Sequence, residues 1–300
     1  MNHKWFVLTA VAALALAACD DDTTEPVMET LDLSFAGLES LANGYHYEGW
    51  AIVGGSPVTT GKFNVDSNGA LVTVGGGEIA NGAFATGVDL ESATAIVITI
   101  EPADDVGAVP TSTHILAGAV SGGQATLGVG DGAALGSDFL NATGNYILAI
   151  PTNGADTDEN SGIWFLSLET GAPTTGLNLP ALPAGWAYEG WAVIAGTPVT
   201  TGRFTVVDAF DLADPFSGTE DGPPFPGEDF LVNAPSGMSF PTDLAGGTAV
   251  ISIEPDPDDA SGPFTLKPLV GPIAADAVDH VTYSMGNSAS GFPTGSATIR

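Results

Sequence analysis

The sequence contains very few basic residues. Of its 300 residues, five are Lys or Arg and 36 are Asp or Glu, which gives a formal net charge of −31. So negative a surface repels phosphate groups, which argues against nucleic acids and anionic membrane surfaces as partners. Two interpretations of the acidity stay open: a solvated, aggregation-resistant surface suited to salty surroundings, and the binding of divalent cations.

Cysteine and long apolar segments are also scarce. The single cysteine, Cys19, excludes a disulfide within the chain and a metal site built from cysteines. Beyond the N-terminus, no segment approaches the roughly 20 apolar residues that a transmembrane helix needs. Any attachment to a membrane is therefore expected from the N-terminus.

The N-terminus has the pattern of a secretory signal peptide. Lys4 is followed by an apolar run that ends at Ala18 and is too short for a comfortable membrane span. The Leu-Ala-Ala before Cys19 resembles the bacterial lipobox, in which the peptide is cleaved before a cysteine that carries a lipid. We expect a signal peptide over residues 1–18 and a lipidated tether over residues 19–30. The mature protein is then lipid-anchored in the cell envelope, on a periplasmic or outer surface.

A 17-residue segment occurs twice, from Tyr47 to Phe63 and from Tyr188 to Phe204. Twelve positions are identical, and the other five exchange similar residues. Downstream, Ile-Val-Ile-Thr-Ile-Glu-Pro at residues 96–102 corresponds to Ala-Val-Ile-Ser-Ile-Glu-Pro at residues 249–255. Because the offset grows from 141 to 153 residues between these segments, the second copy contains a 12-residue insertion.

The composition favours strands over helices. The chain has 40 Gly and 21 Pro, and its apolar runs are short, which is typical of short strands joined by tight turns. Each copy of the repeat offers a leading strand and two apparent hairpins, a pattern typical of a sandwich rather than of βαβ units. We therefore predict an all-β protein with two tandem β-sandwich-like domains, residues 31–170 and 171–300.

The insertion lies in the segment Asp208–Phe230, whose Pro and Gly content argues against a regular element. We expect a long exposed loop, and long loops in compact domains are often functional. Four phenylalanines in so acidic a loop either pin it to its own domain or meet a partner. They are Phe210, Phe216, Phe225 and Phe230.

The repeated segments resemble the extracytoplasmic C-terminal domain of anti-sigma-K factors. The shared pattern is a Tyr-x-x-Trp strand, a turn with Pro-Val, a Gly before Phe, and an apolar strand that ends in Glu-Pro. Such factors also carry a cytoplasmic segment that holds the sigma factor and a membrane-spanning helix, and this sequence shows neither. The resemblance therefore implies an extracytoplasmic sensor-like or structural module that makes no direct contact with a sigma factor.

The duplicated hairpin predicts a strand register. If it closes through the three residues Gly54–Ser56, the predicted pairs are Tyr47–Phe63, Glu48–Lys62, Trp50–Thr60 and Ile52–Val58. The same rule pairs Glu189 with Arg203. Cleavage of the signal peptide leaves four basic residues, and two of them face a glutamate here. We therefore interpret the repeat as a structural device in which ion pairs hold the strand register.

No motif in the sequence indicates an enzyme. The histidines of the mature chain, His46, His114 and His280, lack the spacing of a zinc site. The segment Gly286–Ser290 lacks the last glycine of a nucleophile elbow. The remaining acidic pairs are too numerous to be informative. We therefore predict a protein without catalytic residues.

One loop has the pattern of a calcium site. Asp156, Asp158 and Asn160 alternate as oxygen ligands do, but Gly162 is one place late for an EF-hand and Ser167 occupies its twelfth position. Calcium at this loop is the one cofactor that the sequence suggests, and an ordinary acidic hairpin loop is the alternative.

Two functions follow from these features. The first is a non-enzymatic, lipid-anchored binding or sensing module of the anti-sigma-K extracytoplasmic type, with an unknown protein or small ligand as its partner. The alternative is a structural or adhesive surface lipoprotein that uses its β domains as a spacer and calcium as a stiffener.

Overall fold

The computed structural model describes residues 29–257 and 260–300. The predicted signal peptide, the lipidation site Cys19 and most of the predicted tether lie outside these residues. The described part of the chain consists of strands, turns and four short 3-10 helices, without an α-helix. This confirms the predicted all-β class. None of its helices has the length and apolar character that crossing a bilayer requires.

The described residues form twenty strands. In chain order they are β1 (Thr30–Ala36), β2 (His46–Val53), β3 (Ser56–Val65), β4 (Leu71–Val72), β5 (Ala83–Ala85), β6 (Ala93–Glu101), β7 (His114–Ala119), β8 (Gln124–Gly128), β9 (Thr143–Leu148), β10 (Gly162–Trp164), β11 (Leu166–Ser167), β12 (Thr174–Thr175), β13 (Leu177–Asn178), β14 (Trp186–Ile194), β15 (Thr197–Phe204), β16 (Gly227–Asp229), β17 (Thr248–Pro255), β18 (Leu269–Pro272), β19 (Tyr283–Asn287) and β20 (Thr294–Ile299). The 3-10 helices span Ala80–Gly82, Pro151–Asn153, Glu159–Ser161 and Ala289–Gly291.

Most strands belong to two large antiparallel sheets. The first sheet has the order β4-β3-β2-β6-β7-β8-β20-β1-β5. The second has the order β15-β14-β17-β18-β19-β9-β10-β16, and β13 also pairs with β9. Strands β11 and β12 form a small third sheet. The sandwich-like architecture agrees with the predicted fold class.

The two copies of the repeat occupy equivalent places in the two sheets. Strands β2, β3, β6 and β7 of the first copy correspond to β14, β15, β17 and β18 of the second, and they have the same neighbours. Because side chains alternate along a strand, Tyr47 and Ala51 of β2 enter the main core, while Trp50 packs in a smaller cluster on the opposite face. The repeated sequence thus builds the same part of each sheet.

The register matches the prediction at one end of the hairpin and differs at the other. The observed pairs are Tyr47–Phe63 and Glu48–Lys62, then Trp50–Thr59 and Ile52–Pro57 beyond a β-bulge. The bulge follows Gly49 and leaves Thr60 as the extra residue, so the turn contains only Gly54 and Gly55, both at positive φ. The predicted three-residue turn was therefore wrong, because the extra residue belongs to the bulge.

The second hairpin repeats this geometry. Glu189 pairs with Arg203, and a bulge follows Gly190. Its two turn residues, Ala195 and Gly196, have φ of 49° and 86°. A left-handed conformation is unusual for a residue with a Cβ. The second copy therefore keeps the two-residue turn although Ala195 takes the position of Gly54.

The chain crosses between the sheets where a tandem arrangement predicts no crossing. Strand β9 follows β8 in the chain but pairs with β19 in the second sheet. Strand β20 follows β19 but lies between β8 and β1 in the first sheet. The residues between β8 and β20 therefore build the second sheet as an insertion into the first. The strand pairing does not follow the predicted boundary between residues 170 and 171.

A single core cluster contains buried side chains from both sheets. The copies contribute matching aromatic pairs: the ring centroids of Tyr47 and Phe63 are 5.5 Å apart, as are those of Tyr188 and Phe204. Burial of aromatic rings is the largest apolar contribution that these hairpins make to the core. The core faces thus explain the Tyr and Phe that begin and end the repeat.

Candidate functional site

Each copy buries a chain of three hydrogen-bonded side chains, which we call the relay. In the first copy Trp50 Nε1 donates to Thr99 Oγ1 at 2.9 Å, and the Thr99 hydroxyl donates to Glu101 Oε1. The equivalent residues of the second copy are Trp191, Ser252 and Glu254. All six residues are buried. Buried polar groups need partners, so the relay explains why both copies keep the Trp of Glu-Gly-Trp and the Glu of Ile-Glu-Pro.

The glutamate of each relay fastens the loop that follows its strand. Glu101 Oε1 accepts a hydrogen bond from the backbone N–H of Thr111 at 3.1 Å. Glu254 Oε1 accepts one from the N–H of Phe264 at 2.9 Å. Residues 111 and 264 differ by the same 153-residue offset. We call residues 102–113 of the first copy the covering loop.

A second buried glutamate, Glu48, lies beside the relay of the first copy. Its Oε1 accepts a hydrogen bond from Thr59, and its Oε2 lies 3.7 Å from Lys62 Nζ. Lys62 donates instead to Asp105 of the covering loop, at 2.8 Å to Oδ2 and 2.9 Å to the backbone oxygen. Burial raises the pKa of Glu48, whereas the hydrogen bond from Lys62 lowers the pKa of Asp105.

His46 completes a cluster of three groups that bind metals. One nitrogen of His46 and one oxygen each of Glu48 and Asp105 lie within 4.8 Å of one another. The Nε2 of His46 and the Oε2 of Glu48 are buried and have no hydrogen-bond partner. Within residues 29–257 and 260–300, this is the one such group of three His, Cys, Asp or Glu side chains. We call it the His46 cluster.

The second copy lacks this cluster. Ala187 takes the position of the histidine, and Arg203 takes that of the lysine. The guanidinium Nη1 of Arg203 lies 3.2 Å from Asp256 Oδ1. Glu189 Oε1 accepts a hydrogen bond from Thr200 at 2.5 Å. Each predicted basic residue therefore lies opposite its glutamate and also reaches an aspartate of the following loop.

The insertion of the second copy lies in residues 205–226, between β15 and β16, a segment that contains no helix or strand and has more exposed than buried residues, as expected for a long exposed loop. Phe230 is fully buried, and Phe216 packs against it with ring centroids 5.9 Å apart. Phe225 packs against a separate apolar cluster on β9 and β10. Phe210 is 60% exposed. Phe216 and Phe225 thus hold this segment against its own domain, Phe230 is buried just beyond β16, and Phe210 reaches solvent.

Residues 205–226 enclose a cavity of about 370 Å³ against β10, which we call the acidic cavity. Its carboxyl groups belong to Asp211, Asp214, Glu220 and Asp221. Trp164, Phe210 and Phe225 contribute aromatic surface, and no lining residue is basic. Carboxylates and aromatic faces both attract organic cations, so the acidic cavity can bind a ligand of that class.

Two buried carboxyl groups of β16 lie beneath the acidic cavity. Glu228 accepts hydrogen bonds from the Ser217 hydroxyl and from the N–H of Phe216. Asp229 accepts bonds from Trp164 Nε1 at 2.8 Å and from Thr152 Oγ1 at 2.6 Å. Burial raises the pKa of Glu228 to about 8. A carboxyl group in this state is protonated at neutral pH.

Asp211 lies on the wall of the acidic cavity itself. Burial raises its pKa to about 7, and the neighbouring Asp214 adds to this effect, although the N–H of Gly227 donates to it at 3.2 Å. A carboxyl group with a pKa near 7 changes its charge across the physiological range. The charge of the acidic cavity therefore depends on pH.

The predicted calcium residues lie around one further cavity. Asp156, Asp158 and Asn160 line a space of about 450 Å³ together with Asp243 and Asp279. Asn160 Oδ1 is buried without a hydrogen-bond partner. No three of these aspartates bring carboxylate oxygens within 4.8 Å of one another. The fold thus gathers the predicted oxygen donors around one cavity.

Sequence reasoning missed the relay and the His46 cluster. The signal for the relay was present, because a glutamate in an apolar strand occurs in both copies. The cluster gave no such signal, since Asp105 reaches β2 only through the fold of the covering loop. Comparison with protein-family models, curated proteins and solved structures finds no match for this chain. The resemblance to anti-sigma-K factors stays a prediction from the repeated motifs.

Proposed function

We propose that this protein is a non-enzymatic, lipid-anchored extracytoplasmic module that binds a small organic cation in the acidic cavity. The observation that carries the proposal is the place of this cavity. It is formed by the segment that contains the insertion, which the second copy has and the first copy lacks. The retained residues of the repeat serve the fold, so the binding site is expected where the copies differ.

The chemistry of the lining supports a cation as the ligand. Four acidic residues, three aromatic residues and no basic residue line the space, a composition suited to carboxylate and cation–π contacts with a cation. The volume of about 370 Å³ falls in the range of small-molecule sites. Burial raises the pKa of Asp211 to about 7, so a bound ammonium would favour the ionised form of this carboxyl group.

Calorimetric titration of the purified full-length chain with agmatine, which carries a guanidinium and an amine, tests this proposal. We expect one site per chain, and Asp211→Asn should weaken binding by about tenfold or more. Affinity should rise with pH up to about pH 7, because the cation favours the ionised carboxylate of Asp211. Asp276→Asn is the matched control, since Asp276 is exposed and lies outside the cavity.

Equal affinity in Asp211→Asn and in the unchanged protein would remove the acidic cavity as the binding site. Deletion of residues 208–230 is a poor test, because it also removes β16 and the buried Phe230. Point variants separate the ligand site from the fold.

The lipid anchor is tested separately. Cys19→Ser should leave an unprocessed or soluble precursor, because no other segment predicts membrane attachment. Membrane fractionation gives the answer, and a variant that still resists extraction like an integral protein excludes the lipobox.

A structural role stiffened by calcium is the second candidate, favoured by the cavity that gathers Asp156, Asp158, Asn160, Asp243 and Asp279. Excess Ca²⁺ should then raise the melting temperature relative to chelator, and Asp158→Asn should abolish the increase. Mg²⁺ at the same concentration is the control for screening of the net charge. An equal increase with both ions excludes a calcium site.

A further inference from the structure

The geometry points to a site for a divalent transition metal, of the Zn²⁺ class, in the first copy, with His46, Glu48 and Asp105 as its ligands. His46 and Glu48 are alternate residues of β2, so their side chains emerge on the same face of the first sheet. Asp105 comes from the covering loop, which lies over that face. The three ligand atoms lie within 4.8 Å of one another.

Unpartnered polar atoms are the second, independent observation. His46 is 3% exposed and Glu48 is 2% exposed, yet His46 Nε2 and Glu48 Oε2 have no hydrogen-bond partner. Glu101, which pairs with His46 across β2 and β6, also has a buried oxygen, Oε2, without a partner. Such atoms are rare in folded proteins, because each one costs free energy when it leaves water. A bound cation satisfies lone pairs of this kind.

The histidine is held as metal-bound histidines usually are. Its Nδ1 lies 3.4 Å from the backbone oxygen of Gly44. A ring N–H that donates to a backbone carbonyl leaves the lone pair on the other nitrogen, which fixes the tautomer that binds a metal. Here that other nitrogen is the unpartnered Nε2.

Lys62 is the existing cation near these groups, and it satisfies them only in part. Its Nζ bonds to Asp105 at 2.8 Å but is 3.7 Å from Glu48 Oε2, beyond hydrogen-bond range. The carboxyl groups of Glu48 and Asp105 therefore share a single ammonium. Since the Lys62 side chain is one-third exposed, at 33%, it can turn into solvent when a metal ion enters.

The donor set selects the class of metal. One imidazole and two carboxylates are ligands for Zn²⁺ and its first-row neighbours, and three protein ligands leave a position for water. Ca²⁺ and Mg²⁺ prefer oxygen ligands throughout. The second copy provides an internal comparison, because Ala187 replaces the imidazole there and leaves only carboxylates. Metal binding should therefore tie the covering loop to β2 in the first copy alone.

Titration of the full-length chain with Zn²⁺, followed by metal analysis after dialysis, tests the site. We expect one tightly held Zn²⁺ per chain, and His46→Ala should weaken binding by at least about 100-fold. Lys62→Met should tighten it by about tenfold, because the competing positive charge is gone. His114→Ala is the matched control and should leave the affinity unchanged.

A spectroscopic measurement on a conservative variant distinguishes the loss of a metal ligand from the loss of the fold. Co²⁺ in place of Zn²⁺ should give visible absorption bands of a low-coordinate site in the unchanged protein, in His114→Ala and in Lys62→Met. These bands should be absent from His46→Gln, whose amide keeps the size of the side chain. Equal Zn²⁺ affinity in His46→Ala and His114→Ala, or unchanged Co²⁺ bands in His46→Gln, would overturn the assignment.

Discussion

The two copies of the repeat share a buried frame and differ in what is attached to it. Both keep the relay, the bulged hairpin and a glutamate opposite a basic residue. The first copy adds His46, and the second adds the segment that encloses the acidic cavity. Identity between the copies therefore marks residues that hold the sheet and its loop in place. Both the metal site and the acidic cavity depend on a feature that only one copy has: His46 in the first and the inserted segment in the second.

Removal of residues 294–300 should have the largest effect, because it should destabilise the first sheet and leave the second paired. Strand β20 lies between β8 and β1, so its loss separates β1 and β5 from the other strands of the first sheet. The second sheet contains no residue after Asn287 and should keep its pairing. Amide hydrogen exchange should lose protection in β1 and β8 and keep it in β14 and β17. Equal loss in both sheets would show that the copies fold as one cooperative unit.

Disruption of the relay should have a large and equal effect in both copies. Thr99→Val leaves Trp50 Nε1 without its acceptor and Glu101 without one donor, and Ser252→Ala does the same in the second copy. Each change should lower the free energy of unfolding by about 3 kcal/mol, since two buried polar groups lose a partner. Denaturant titration measures this loss, and Thr94→Val, at an exposed site, is the control.

The pH dependence of stability should come mainly from the second copy. Glu228 has a pKa of about 8 in the folded chain against 4.5 as its ordinary value. Between these values the folded chain holds a proton that the unfolded chain has released, so stability falls as pH rises through this window. The expected slope is about 1 kcal/mol per pH unit. Denaturation at pH 6 and 7.5 should show the decrease, and Glu228→Gln should reduce it.

Substitution of the aspartates that pair with Lys62 and Arg203 should have the smallest effects on stability. Asp256 is 58% exposed, so Asp256→Asn should lower stability by about 0.5 kcal/mol and the effect should vanish at high salt. Asp105 is 12% exposed and also accepts the N–H of Gly107. In chelated protein, Asp105→Asn should cost about 1 kcal/mol. A larger loss for Asp256→Asn would contradict the observed difference in burial.

Local patterns in the sequence predicted the local structure well. Alternation of apolar residues located β2, β3, β6 and their counterparts, and charge complementarity located Glu48 opposite Lys62. The turn was misassigned because a bulge and a longer turn add the same single residue to a hairpin. Only the side-chain packing around Thr60 distinguishes them, and that depends on the folded sheet.

Long-range pairing could not be predicted in the same way. Strands β9 and β20 have equal lengths and both begin with Thr-Gly, so neither sequence indicates which sheet it joins. The His46 cluster likewise needs a loop residue 57 positions after Glu48. Contacts of this kind are decided by the tertiary fold rather than by local periodicity.

The placement of β20 also has a consequence for the order of folding. The ribosome makes β1 near the start of the chain and β20 at residues 294–299, yet the two strands are neighbours in one sheet. The inserted residues between β8 and β20 emerge completely before the first sheet can be completed. The sheet that contains the first copy is thus the later of the two to be completed. Until β20 is made, the edges of β1 and β8 that it joins stay unpaired.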